Sequence, residues 1–295
     1  MLFRTALAAA LALTIAALVP SVAPAKTATT YYLALGDSLS VGVQPNPGGT
    51  SEETNQGYTD QLAALERRRI RGLKLYKLGC GGESTSSMLG IGNRTFCQYR
   101  GDRRLGYGHR RKGSQIAAAE KFLREHRGHV AFVTIDIGAN DVEGCGPGGH
   151  IDTTCLTNGI NAIKTNTPKI ARRLRAAAGR SVTIVAMNLY DPFLEFYFDP
   201  AMRAIAQASA QLAVSVNKSI GDGSKRNGIH KVADVFKAFE TLSTTPTTYR
   251  GQRIPRDVER ICTLTWMCAP RPRGPNVHAN RAGYGLIART FKPLI

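Results

Sequence analysis

The sequence predicts an α/β protein: a parallel sheet with helices packed on both faces. Three observations carry this. Strand-like and helix-like segments alternate along the chain, the connections between them are short, and polar, glycine-bearing turns follow the first three strands. Apolar or β-branched runs occur at 31–36, 74–78, 130–137, 182–188 and 229–235. Helical patterns lie near 57–68, 114–127, 156–178 and 199–220, with a last one after Asn280. Such alternation demands right-handed crossovers and therefore parallel strands. In open sheets of this kind the ligand site lies beyond the carboxyl ends of the strands.

Each element has a local reason. The run Tyr31 to Leu35 is cut off by Gly36 and Asp37, which leaves Ser38 at the sheet edge. Gly81-Gly82 follows the second run and Gly138-Ala139-Asn140-Asp141 the third, so three polar turns gather on one edge. The clearest helix is DPAMRAIAQASAQLAVSVNKSI: Asp199 is its expected cap, Pro200 suits its first turn, and Met202, Ile205, Ala208, Leu212, Val216 and Ile220 recur on one face. No repeat or linker divides residues 26–295, which read as one domain.

Residues 1–25 have the order of a secretory signal peptide: Arg4, an apolar run, then small residues ending Ala23-Pro24-Ala25. The run is short for a spanning helix and ends in prolines. Export to an extracellular location is the expectation. The net charge is +18 over 295 residues, one less once Arg4 leaves with the leader, which implies attraction to anionic surfaces without naming a chemistry. Six cysteines fall at 80, 97, 145, 155, 262 and 268. Without a CxxC or a zinc-type Cys/His spacing, metal binding is not expected. In an exported chain local pairing is the natural reading, as Cys80–Cys97, Cys145–Cys155 and Cys262–Cys268.

GDSLS near the mature N-terminus, LGCGGESTS at 78–86, IGAND at 137–141 and VHANRAGYGLIA at 277–288 come in an order that resembles the four signature blocks of the GDSL, or SGNH, esterase and lipase family. The likeness spans almost all of the mature chain, and the cysteine arrangement is similar to that of secreted bacterial members. It implies a three-layer α/β/α sandwich with a flavodoxin-like central sheet. The chemistry agrees: acyl transfer needs a nucleophile, a base and donors for the tetrahedral oxyanion. Ser38 is the expected nucleophile. Its own N–H, that of Gly82 and the side-chain amide of Asn140 are the expected oxyanion donors. Alone, Gly82 and Asn140 would be turn residues; the combination makes the catalytic reading. No metal or organic cofactor is required.

Of six histidines, His126, His129 and His230 flank strands, where surface roles suffice. His109 lies in a basic loop and His150 inside the Cys145–Cys155 loop. His278 alone precedes a terminal helix matching the family's histidine block, and is the expected base. With an ordinary imidazole pKa, activity should fall below roughly pH 6–7. The family's Asp three residues earlier is replaced here by Pro275. The expectation is therefore a Ser38–His278 dyad with the Pro275 carbonyl holding the ring, and Asp257 as the alternative carboxylate. Asp37 is expected to point away from Ser38 and be structural, and Asp141 to brace the Asn140 turn.

Residues 94–112 carry seven basic residues against one acid, interleaved with Phe96, Tyr99 and Tyr107. They read as a solvated basic loop or as an anion-binding rim, and no specific nucleic-acid partner is expected. The leading function is a secreted, monomeric serine esterase or lipase acting on small-molecule, lipid or glycan esters. A carbohydrate O-deacetylase and a phospholipase-type acyl hydrolase are the alternatives within that class. A non-catalytic polyanion-binding module is the alternative outside it.

Overall fold

Five parallel strands carry the molecule, one for each apolar run of the sequence. The computed structural model describes residues 29–92, 114–146 and 151–295. The chain runs β1 (Thr30–Gly36), β2 (Gln44–Pro45), β3 (Ser51–Glu52), α1 (Tyr58–Glu66), β4 (Leu73–Lys77), α2 (Thr85–Met88), α3 (Gln115–Glu125), β5 (Val130–Asp136), α4 (Thr153–Ala178), β6 (Thr183–Met187), α5 (Arg203–Lys225), β7 (Lys231–Ala233), α6 (Val235–Ala238), β8 (Pro246–Tyr249), β9 (Gln252–Pro255), α7 (Arg256–Leu264) and α8 (Arg281–Phe291). The main sheet has the order β4-β1-β5-β6-β7, with every neighbouring pair parallel.

Period-2 alternation sorts the strand side chains between two cores. Tyr32, Ala34, Phe132, Val185 and Met187 face one side, where α1, α7 and α8 contribute Tyr58, Leu62, Ile261, Tyr284 and Ile287. Leu33, Leu35, Val133, Ile135 and Ile184 face the other, against Ile116 and Phe122 of α3 and Ile170 and Leu174 of α4. The result is the three-layer α/β/α sandwich. Among the described residues no helix is long and apolar enough to cross a membrane.

Two bridges, Cys145–Cys155 and Cys262–Cys268, staple their loops. The third expected pair depends on Cys97, and the leader, the basic loop 94–112, His109 and His150 likewise lie outside the described residues.

Other boundaries differ from the sequence reading. The helix expected from Asp199 begins at Arg203 and runs on to Lys225. The 3-10 segment Pro192–Phe198 precedes it, and Asp199 closes the turn between them by accepting from the N–H of Ala201 at 2.9 Å. An Asx turn has taken the side chain that would have capped the helix. That 3-10 segment, the β8–β9 hairpin and α7 have no counterpart in the sequence reading. The 3-10 segment and the hairpin strands are too short to show a period, and α7 repeats Val258, Ile261 and Cys262 at helical spacing over only nine residues.

Candidate active site

The carboxyl ends of β1 and β5 meet closely at the centre of the sheet. A Cβ on Gly36, which has φ +136°, would lie 2.3 Å from the carbonyl oxygen of Asp136, so only glycine fits. The carboxamide of Gln115, the first residue of α3, then takes over the backbone of Gly36: its Oε1 accepts from the Gly36 N–H at 2.7 Å and its Nε2 donates to the Gly36 carbonyl at 2.9 Å. The same Nε2 donates to Glu83 Oε2 at 3.0 Å. One side chain thereby ties the Ser38 turn to the Gly82 turn.

Ser38 follows directly. Its carbonyl accepts from the N–H of Val43 at 3.0 Å, and the Ser40 hydroxyl donates to the Asp37 carbonyl at 2.7 Å. Asp37 is buried beneath the turn and accepts from the N–H of Leu39 at 2.9 Å. Its backbone N–H reaches Asp136 Oδ2 at 3.3 Å, while the Tyr58 hydroxyl donates to Asp136 Oδ1. Burial together with the Asp136 charge pushes the Asp37 carboxyl well above the usual carboxylate range. Burial lifts Asp136 to about 6.

The second and third turns are fastened to each other. Gly82 has φ +76°, the left-handed region that lets a backbone N–H face outward without strain. Asn140 lies on the 3-10 turn Ala139–Asp141, and its Nδ2 donates to the Glu83 carbonyl at 3.0 Å. The Asp141 side chain, expected to brace its own turn, reaches across to α2 instead. It accepts from the backbone N–H of Thr85 at 2.8 Å and from the Thr85 hydroxyl at 2.7 Å, which spans the gap to α2.

His278 comes from a different part of the molecule. It immediately precedes Ala279, which bridges to Thr265, and α8 begins two residues further on at Arg281. Its carbonyl accepts from the N–H of Trp266 at 3.0 Å, and the Tyr190 hydroxyl donates to the neighbouring Val277 carbonyl at 2.7 Å. The ring partner corrects the sequence expectation. Nδ1 meets Asn276 Oδ1 at 2.7 Å, not the carbonyl of Pro275. The amide of Asn276 is itself fixed, because its Nδ2 donates to Ser51 Oγ at 3.0 Å and its Oδ1 also accepts the His278 backbone N–H at 3.1 Å. Asp257 is engaged elsewhere, accepting from the N–H of Val258 at 2.7 Å. A side chain two residues before the histidine reaches Nδ1 across a tight local turn, whereas the carbonyl at Pro275 does not take that position. The signal in the sequence was GPNVHAN itself, where Asn276 is a side-chain acceptor beside the missing Asp.

Ser38 and His278 line one cavity of about 80 Å³, whose other walls include Ala139, Leu189, Tyr190, Val216 and Val277. Burial among these groups holds the imidazole down to about 4. The ring is therefore neutral over the ordinary pH range, and its Nδ1 proton is committed to Asn276, which leaves Nε2 as an acceptor.

A model of the GDSL-like lipase/acylhydrolase family matches residues 34–286. Among solved structures, the chain resembles an extracellular lipase from Streptomyces rimosus at 16% identity and TM-score 0.54, covering 90% of this chain and 100% of that one. It also resembles phospholipase A1 from Streptomyces albidoflavus NA297 at 16% identity and TM-score 0.52, covering 91% of this chain and 100% of that one. No curated protein sequence matches the chain significantly.

Proposed function

We propose, for a chain that belongs to the GDSL-like lipase/acylhydrolase family, that it is an exported serine hydrolase cleaving carboxylic esters through an acyl-enzyme on Ser38. The observation that carries this reading is the shared cavity of Ser38 and His278, with the imidazole turned by Asn276 so that Nε2 is the free acceptor. Ser38 Oγ attacks the ester carbonyl as Nε2 takes its proton. The resulting oxyanion is met by the N–H groups of Ser38 and Gly82 and by the second Nδ2 proton of Asn140, the first being held by Glu83. Collapse breaks the ester C–O bond, and the imidazolium returns its proton to the departing alcohol. Water then repeats the cycle on the acyl-enzyme.

The apolar walls of the cavity suit an acyl chain. Two disulfides among the described residues suit an oxidising compartment.

Hydrolysis of p-nitrophenyl acetate and labelling by a fluorophosphonate test the reading. Wild type should turn over the ester and carry the label on Ser38. Ser38→Ala should lose the label and at least about 10³-fold in kcat/KM. Equal, negligible rates in both proteins with no label would refute the reading.

A further inference from the structure

The cavity that holds Ser38 and His278 does not end at its own floor. A second cavity of about 280 Å³ adjoins it, lined by Ile151, Leu156, Phe196, Ile205 and Ala208. The two share Val142, Glu143, Phe193, Ser209 and Leu212. Four of these are what a passage for an apolar chain requires, with Ser209 committed to Asp191. The fifth is a carboxylic acid.

The other acids on this wall each have a local hydrogen-bond partner. Asp191 accepts from the N–H of Phe193 at 3.0 Å and from the Ser209 hydroxyl at 2.7 Å, and Asp37 accepts from the Leu39 N–H. Glu143, on the 3-10 turn Glu143–Cys145, has neither a hydrogen bond nor a cation partner among the described residues. Its half-buried carboxyl, placed where two apolar cavities join, therefore relies on water for its partners.

We propose that Glu143 is a specificity-determining residue whose charge decides which substrate chains pass from the first cavity into the second. The inference rests on the esterase reading above. A short acyl group ends before the junction and is indifferent to Glu143. A long apolar chain passing through strips water from the carboxyl. The neutral acid tolerates that loss, whereas the carboxylate does not.

Burial and the neighbouring charges of Asp37 and Asp191 lift Glu143 to about 7, so the change falls near neutrality. The titratable groups facing the same space are Asp37 after β1, Tyr190 and Asp191 after β6, and His278 before α8, with burial pushing the Tyr190 hydroxyl well above its ordinary range. Of these, Asp191 is raised to about 6 and His278 lowered to about 4. Protonation of His278 affects every ester alike and cancels in a ratio of substrates.

The test compares kcat/KM for p-nitrophenyl decanoate and p-nitrophenyl acetate from pH 5.5 to 8.5, with fluorophosphonate labelling of Ser38 run alongside. In wild type the decanoate-to-acetate ratio should fall about tenfold as pH rises through 7. Glu143→Gln should hold the ratio flat, and Glu143→Leu should hold it flat and high, so either variant suffices if the other misfolds. A ratio flat in wild type overturns the proposal. An equal fall in both variants also overturns it and transfers the effect to Asp191. Absence of labelling together with no turnover of either ester is a different failure, that of the hydrolase reading, and removes the proposal with it.

Discussion

The serine edge and the histidine loop build one cavity by two different means. Ser38, Gly82 and Asn140 sit on turns that three parallel strands deliver to the same edge. Cross-links through Gln115, Glu83, Thr85 and Asp141 then lock those turns together. His278 has no strand of the main sheet behind it. Backbone bonds to Trp266, the Tyr190 hydroxyl on Val277 and the Asn276 side chain hold it in place. The sheet edge is positioned by topology, and the histidine by a handful of local bonds. Substitutions should therefore act differently in the two regions.

The largest effect is expected at His278. His278→Ala should lower kcat/KM on the order of 10⁴-fold while leaving the circular dichroism spectrum unchanged. On the serine edge, Asn140→Ala should cost about 10²–10³-fold in kcat with little change in KM, the size expected for one oxyanion donor. A loss confined to KM would instead make Asn140 a ground-state contact.

Asn276 sharpens the contrast. Asn276→Ala should cost roughly one to two orders of magnitude, because Nδ1 loses its fixed acceptor. Asn276→Asp should keep the geometry and move the acid limb of kcat/KM. Burial holds His278 down to about 4 in wild type, so activity should persist well below pH 6 and fail only near 4. A carboxylate at 276 favours the imidazolium, and the limb should rise toward the ordinary histidine range. An unchanged limb would mean that another group sets it.

The smallest effect concerns stability. Glu83 is buried, accepts from the Ser87 hydroxyl and from Gln115 Nε2, and is lifted by that burial to about 7. In the unfolded chain it titrates near its ordinary value. Between roughly pH 4.5 and 7 the native state therefore binds more protons, and its stability falls as pH rises through that window. Glu83→Gln should remove that part of the slope, on the order of 2–3 kcal/mol between pH 5 and 8, read from urea midpoints.

The same contrast explains what could be read in the sequence. Apolar or β-branched runs located all five strands, and the polar turns after the first three placed Ser38, Gly82 and Asn140, because a parallel sheet permits few other placements. The partner of His278 was misassigned to Pro275 because the choice between a carbonyl and the next side chain depends on local dihedrals, which carry no periodic signal. Gln115 and Glu143 went unnoticed for a related reason. Gln115 reads as an ordinary first-turn helix residue, and Glu143 as a polar residue after a turn. Their importance comes from what they face: Gly36 lies 79 positions before Gln115 in the chain. The long apolar face read on α5 was correct in spacing but incomplete in meaning, since Ile205, Ala208 and Leu212 line a cavity, Leu212 while also packing against the core.

The Gln115 carboxamide carries a last consequence. It satisfies the N–H and the carbonyl of Gly36 much as an adjacent strand would, and it also holds Glu83. The Ser38 turn and the Gly82 turn thus share an anchor and cannot drift independently. In the proposed mechanism their donors are aimed before any ester arrives, so little reorganisation remains when charge develops on the carbonyl oxygen. Much of the catalytic power of this edge would then have been invested during folding, by a residue that never touches the substrate.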